Sequence, residues 1–247
     1  MYSTYLVFFV IAHILGDFYF QRERLVQYKN KFFRGLLLHS LIYAGSVYAV
    51  ILPIFGFDAV LYASVFACAH FIIDFAKFIV LKCSKEGFAM RQEAGIYSID
   101  QMLHIACIIT ICVLLAGQNI PMLGWMQPFF NVIGLGSMKF FQWLCVLLLV
   151  AHPANITFKK IFSKYKPQDM DKTGQPNNTG ALIGSMERIV SVFLISVGQY
   201  AAIGLILTAK SIARYNKIAE NKQFAEYYLI GTIFSILFSI VSFIIVF

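Results

Sequence analysis

Three histidine–aspartate pairs recur along the chain at one spacing: His13 with Asp17, His70 with Asp74, and Asp100 with His104. A fourth histidine, His39, has Tyr43 at the same interval. Residues four apart share one face of an α-helix, so each pair can present an imidazole and a carboxylate to a common point. Imidazole nitrogens and carboxylate oxygens together suit Zn, Mn or Fe(II), and carboxylate-rich helical bundles can hold two such ions. The pattern predicts one or two divalent metal ions, with His13, Asp17, His39, His70, Asp74, Asp100 and His104 as candidate ligands. Asp17, Asp74 and Asp100 are also the candidate catalytic groups, because a carboxylate spared from ligation can act as general base toward a metal-activated water. Two other readings compete. The pairs could be plain hydrogen bonds between helices, or the histidines could hold a haem, which leaves the aspartates unexplained.

These groups must be positioned by very apolar elements. The 247 residues are 60% hydrophobic and 13% charged, with mean hydropathy +0.74, whereas soluble domains are about a quarter charged. Apolar runs long enough to cross a bilayer recur from end to end. The fold class is therefore all-α: a polytopic helical membrane protein of about seven (six to eight) transmembrane helices. The expected spans are 2–20, 35–54, 58–81, 98–116, 138–158, 181–208 and 225–247. The opening "MYSTYLVFFV" lacks a basic lead and a small-residue cleavage site, so it reads as a retained first helix. Residues 1–247 form a single integral membrane domain. Within it lie a four-helix His/Asp half (1–117), an interfacial or re-entrant segment (118–137), and C-terminal helices (138–247) with a cytoplasmic loop at 163–180. Ionisable groups isolated in lipid are costly, so they face a bundle interior and mark function.

The formal charge of +8 sits mostly in loops. Positive-inside bias explains it better than a nucleic-acid partner, and none is expected. Arg22, Arg24, Lys29, Lys31 and Arg34 fill loop 21–34, and Lys82, Lys85 and Arg91 fill loop 82–97. The intervening "PIFGFD" has no basic residue, which makes those two loops cytoplasmic and puts the N-terminus outside. At ~1.5 Å rise per residue, most of the His and Asp groups then lie within roughly 15 Å of the cytoplasmic boundary. Loops 159–180 and 209–223 are both basic, and a single span between them would leave one outside. Charge counting does not decide that point. The five cysteines show no CxxC spacing and read as small hydrophobes.

Lys77, one turn beyond Asp74, can offset that carboxylate or contact a substrate anion. Gln101 can support the ligands from outside, and Gly16 suits close approach of a neighbouring helix. Glu187 and Arg188 open the sixth span, pointing about 100° apart, so each needs a partner on another helix. For Arg188 that partner is an ion-pair carboxylate or a substrate phosphate.

The segments "AHILGDFYFQ", "LLLHSLIY", "AHFIIDFAK", "SIDQMLHI", "GALIGSMERIV", "GQYAAIGLILTAKSIARY" and "EYYLIGTIFSIL" resemble DUF3307, a family of bacterial multi-pass membrane proteins. The resemblance covers nearly the whole chain and implies the bacterial inner membrane, but no activity. The His/Asp pattern is also similar to that of inner-membrane proteins labelled metal-dependent hydrolases. That likeness implies His13, Asp17, His39, His70, Asp74, Asp100 and His104 as ligands or catalytic groups. The expected function is a membrane-embedded metal-dependent hydrolase near the cytoplasmic leaflet, acting on a lipid or isoprenoid phosphate. The alternatives are a metal-ion or proton transporter or channel, and a non-catalytic membrane partner protein with a structural metal.

Overall fold

The computed structural model describes residues 2–84, 92–132, 136–167 and 178–247. Lys85, Arg91 and most of loop 163–180 lie outside the described residues. The described secondary structure is helical, and six helices are long and apolar enough to cross a membrane, or seven if the bent first segment counts as one span. The chain is an all-α polytopic membrane protein. Leucines and isoleucines on these spans stay outward, Leu41 at 71% and Ile99 at 62% exposure, as a lipid-facing surface requires.

The chain divides into two units, Met1–Cys145 and Val146–Phe247. The division falls inside the helix Ser137–Ile161. The first unit begins with α1 (Tyr2–Ile14), which runs into a π-helical turn at Leu15–Tyr19. Phe20 N donates to Leu15 O at 2.8 Å, closing the wide turn. The apolar run alone predicts uniform α-helix here. Such turns cost helix regularity and collect at functional sites, and this one carries Asp17.

The chain then bends by 85° into α2 (Glu23–Lys31). Sequence alone reads residues 21–34 as a loop. The helix folds back onto α3 (Phe33–Phe55), and Gly35 makes this approach feasible. A Cβ at Gly35 would sit 2.6 Å from the Tyr28 backbone carbonyl. Gly35→Ala is therefore expected to push α2 off α3. Lys29, 6% exposed, should then acylate with a water-soluble amine reagent, read by peptide mass spectrometry. Unchanged protection of Lys29 would contradict this.

A 3-10 turn (Phe57–Ala59) leads into α4 (Val60–Cys83), and α5 (Glu93–Gln118) completes the set. Gly16 lets α1 meet α3 closely: a Cβ there would lie 2.6 Å from both Ser46 Oγ and Tyr43 Cδ2. One end of the unit is a dry core of Tyr5, Phe8, Phe9, Ile51, Phe55, Phe66, Ile111 and Leu115. The polar groups gather at the other end, beside α2. In segment 118–137 the described residues form a 3-10 turn (Gly124–Met126) and α6 (Gln127–Val132), too short to cross a bilayer. Leu123 N and Trp125 Nε1 donate at 2.7 Å to the Ile54 and Pro53 carbonyls, satisfying the open end of α3.

The second unit comprises most of α7 (Ser137–Ile161), α8 (Asn178–Ser196), α9 (Tyr200–Ala213), α10 (Tyr215–Glu220) and α11 (Lys222–Val246). The expected span 181–208 is broken. Gly198, at φ 73°, turns the chain between α8 and α9. Lys210 reaches Glu187 at 2.7 Å. These two residues stand almost equally far from Gly198, so α8 and α9 run antiparallel as a hairpin. Glu187 and Lys210 thus stand at the same end of this hairpin.

Candidate metal centre

α1 and its π turn supply His13 and Asp17, α3 supplies His39, α4 supplies His70 and Asp74, and α5 supplies Asp100 and His104. All seven are buried, none more than 9% exposed. Their donor atoms fall into three overlapping groups within 4.8 Å: His13, Asp17 and His70; His39, His70 and Asp74; Asp74, Asp100 and His104. His70 and Asp74 each belong to two groups, so they stand at the middle. The rings confirm this: His70 stacks on His104 at 4.5 Å and on Tyr43 at 3.4 Å, and lies 5.2 Å from His39. The seven candidate ligands chosen from spacing thus converge on one place.

The donors face one another without hydrogen bonds. His13 Nε2, His39 Nε2, both nitrogens of His70, Asp74 Oδ1, Asp100 Oδ1 and His104 Nε2 have no hydrogen-bond partner. Among the described residues, the buried side-chain nitrogens and oxygens left unpaired all belong to this cluster. His39 Nε2 lies 3.2 Å from Asp74 Oδ2 and 3.5 Å from Asp17 Oδ1, His70 Nε2 lies 3.8 Å from Asp17 Oδ1, and His104 Nε2 lies 3.8 Å from Asp100 Oδ1. Two ligands bound at ~2.0–2.1 Å in a tetrahedron stand ~3.3 Å apart, so these separations suit edges of a coordination shell.

Surrounding groups orient the rings. His13 Nδ1 pairs with Tyr43 Oη at 3.0 Å, leaving Nε2 turned inward. Tyr43 thus serves His13 across the helix pair rather than its own neighbour His39. With its amide turned so that both its oxygen and its nitrogen find partners, Gln21 accepts from His39 Nδ1 at 3.1 Å and from Lys29 Nζ at 2.6 Å through its oxygen and donates to the Asp17 carbonyl at 3.1 Å. With its proton on Nδ1 alone, His39 turns a lone pair at Asp74 and Asp17, an arrangement that a cation between them relieves, as does a second proton on Nε2. A ligating histidine held through its other nitrogen is the usual arrangement. Gln101 Nε2 bridges Asp17 Oδ2 at 3.2 Å and Asp100 Oδ2 at 3.3 Å.

Two lysines complete the site. Lys29, from α2, donates to Asp74 Oδ2 at 3.0 Å and lies 3.9 Å from Asp17. Sequence reasoning missed it, assigning it to the exposed basic loop. The available signal was its place on the face of Leu25 and Val26, one turn on. Lys77 donates to Asp100 Oδ2 at 2.8 Å, not to Asp74, because Lys29 takes Asp74 and α5 lies within its reach.

Arg188 belongs to the second unit, 3% exposed. Its guanidinium donates to the Val150 carbonyl at 2.6 Å, the Ala151 carbonyl at 3.3 Å and Asn155 Oδ1 at 2.6 Å, so its recorded partners are neutral rather than a carboxylate. Glu187 has the expected partner on another helix, Lys210.

A family model described as a protein of unknown function (DUF3307) matches residues 5–132, the stretch that contains every member of the cluster. No curated protein and no solved structure matches the chain.

Proposed function

The chain belongs to the DUF3307 family, and from there we propose that it is a membrane-embedded metal-dependent hydrolase with a divalent ion (Zn, Mn or Fe) among its first four spans. The observation that carries this reading is the set of seven unpaired nitrogens and oxygens converging from six residues. A site made only for hydrogen bonding would pair them, since each orphaned buried group costs ~1–3 kcal/mol. Charge favours one ion over two. Three carboxylates against two ammoniums leave one negative charge, which a single divalent ion more than offsets.

A divalent ion supplies Lewis acidity and an activated water to such a centre. The protein's own groups do the rest. One of Asp17, Asp74 and Asp100, left free of ligation, takes a proton from the attacking water. The water oxygen bonds to phosphorus, the ester P–O bond breaks, and the departing oxygen is protonated. Arg22, Arg24, Lys31 and Arg34 are exposed beside the site. We place this end at the cytoplasmic leaflet of a bacterial inner membrane, with the N-terminus outside. That depth selects a lipid or isoprenoid phosphate. Transport would require polar groups continuing to the far face. Beyond the cluster, the Ser46 hydroxyl donates to backbone carbonyls at Ala12 and Tyr43, and the Tyr5 hydroxyl donates to the Ile120 carbonyl at 2.7 Å, so both are satisfied locally.

The test is phosphate release from phosphatidic acid and isoprenyl phosphates by the purified chain. Release should stop with chelator, return with added metal, and fall at least ~100-fold in Asp74→Asn. A metal-loaded protein that hydrolyses none of them would instead support the partner-protein reading.

A further inference from the structure

Both lysines of the centre hold carboxylates that a metal would need. Lys29 sits on Asp74 and Lys77 on Asp100. Both also line a narrow opening, about the size of one water, between α2, α3 and α4, together with Asn30, Leu36, Asp74 and Phe78. The Lys77 side chain is 22% exposed there. The opening is two-faced. Lys29, Asn30 and Lys77 make a polar, cationic side, while Leu36 and Phe78 make an apolar one. The apolar side continues outward through Phe33, which packs on Phe78 and Phe75 and is itself 45% exposed.

We propose that Lys29 and Lys77 exchange partners: a metal taking Asp74 and Asp100 releases both ammoniums to the phosphate of an amphiphile whose tail leaves past the edge of Phe78 along the exposed Phe33. This rests on the metal reading above. A cation entering the cluster competes with the ammoniums for carboxylate oxygens. The displaced ammoniums are left without counter-charge in a poorly hydrated rim, where stranded charge is costly. A phosphate in the opening supplies that counter-charge, and an apolar tail adds burial. Metal and phosphate must then favour each other's binding by the same factor, because linkage is reciprocal. Lys29 and Lys77 thereby become substrate-recognition residues as well as charge partners, and an unloaded centre is held closed by its own lysines.

The experiment is equilibrium dialysis of the full chain in nanodiscs of neutral lipid against Mn²⁺, Zn²⁺ or Fe²⁺, with bound metal read by mass spectrometry. Parallel samples contain octyl phosphate, inorganic phosphate or octanol. Octyl phosphate should tighten metal binding about tenfold, the middle of the usual coupling range, and octanol should not. Equal tightening by inorganic phosphate would identify the free anion as the ligand; a larger effect of octyl phosphate identifies the headgroup of an amphiphile. Lys77→Gln should bind metal more tightly than wild type without anion, since no ammonium competes for Asp100, and should lose most of the enhancement. Lys77→Arg should keep it. Metal binding that is indifferent to octyl phosphate, or an enhancement that survives in Lys77→Gln, overturns the exchange. Absence of metal binding in every sample overturns the metal reading itself.

Discussion

In the metal-free protein, Asp74→Ala should cost about 3–5 kcal/mol of stability, the usual penalty for stripping one partner from a buried ion pair. The Asp74 side chain is 2% exposed and that of Lys29 is 6%, and they meet at 3.0 Å. Removing the carboxylate leaves the ammonium in the interior, with Asp17 at 3.9 Å and the Gln21 amide oxygen as its remaining recorded neighbours. His39 loses its nearer carboxylate at the same time. The companion change, Lys29→Met, removes the stranded charge and keeps an apolar stem against α3. The double variant should therefore recover most of the loss, with a coupling energy of up to ~3 kcal/mol. Yet it should hold no metal, since Asp74 joins two of the three donor groups. Reversible unfolding in mixed micelles measures the first effect and metal content the second. A loss under ~1 kcal/mol in Asp74→Ala, typical of an exposed pair, would mean that Lys29 is not docked on Asp74 in the membrane.

Much of the first unit was legible because the bilayer demands long apolar runs and a helix has one period. Spacing alone paired Asp100 with His104, 3.8 Å apart, and put His13, Asp17, His70 and Asp74 into shared donor groups, whereas the nearest carboxylates to His39 and His70 are Asp74 and Asp17 on other helices. The same rule failed for Lys77. Its distance from Asp74 along α4 suits contact, but Asp100 on α5 and Lys29 on α2 resolve the competition otherwise. Such cross-helix choices depend on packing, which local spacing does not encode. Gln21 and Lys29 come to the centre only because α2 folds back by 85°. The visible trace of that fold is Gly35, whose missing side chain admits the Tyr28 backbone. The hairpin of α8 and α9 was hidden for a different reason. Its turn is three residues of a nearly unbroken apolar run, so hydropathy reads one long span where Gly198 reverses the chain. The π turn carrying Asp17 has no marker in residue type at all.

His70→Ala should abolish metal retention. His70 belongs to two donor groups, both its ring nitrogens are unpaired, and its ring is stacked between Tyr43 and His104. Loss of a supporting residue around a metal typically costs 10–100-fold in affinity, and loss of a central ligand should cost at least ~100-fold by the same measure. The variant also removes a buried ring from a tight stack, so His70→Asn, which retains a polar side chain of smaller reach, belongs beside it. Both should lose metal, while only the alanine variant should lose substantial stability as well.

The most direct measurement is the metal content of the chain, purified in detergent without chelator or histidine tag and analysed by mass spectrometry beside His70→Ala and His70→Asn. The account predicts close to one equivalent of Zn, Mn or Fe in the natural sequence and none in either variant. A metal-free protein that neither binds nor is stabilised by any of the three ions would contradict it, and would make the unpaired histidines and aspartates a proton-bearing network instead.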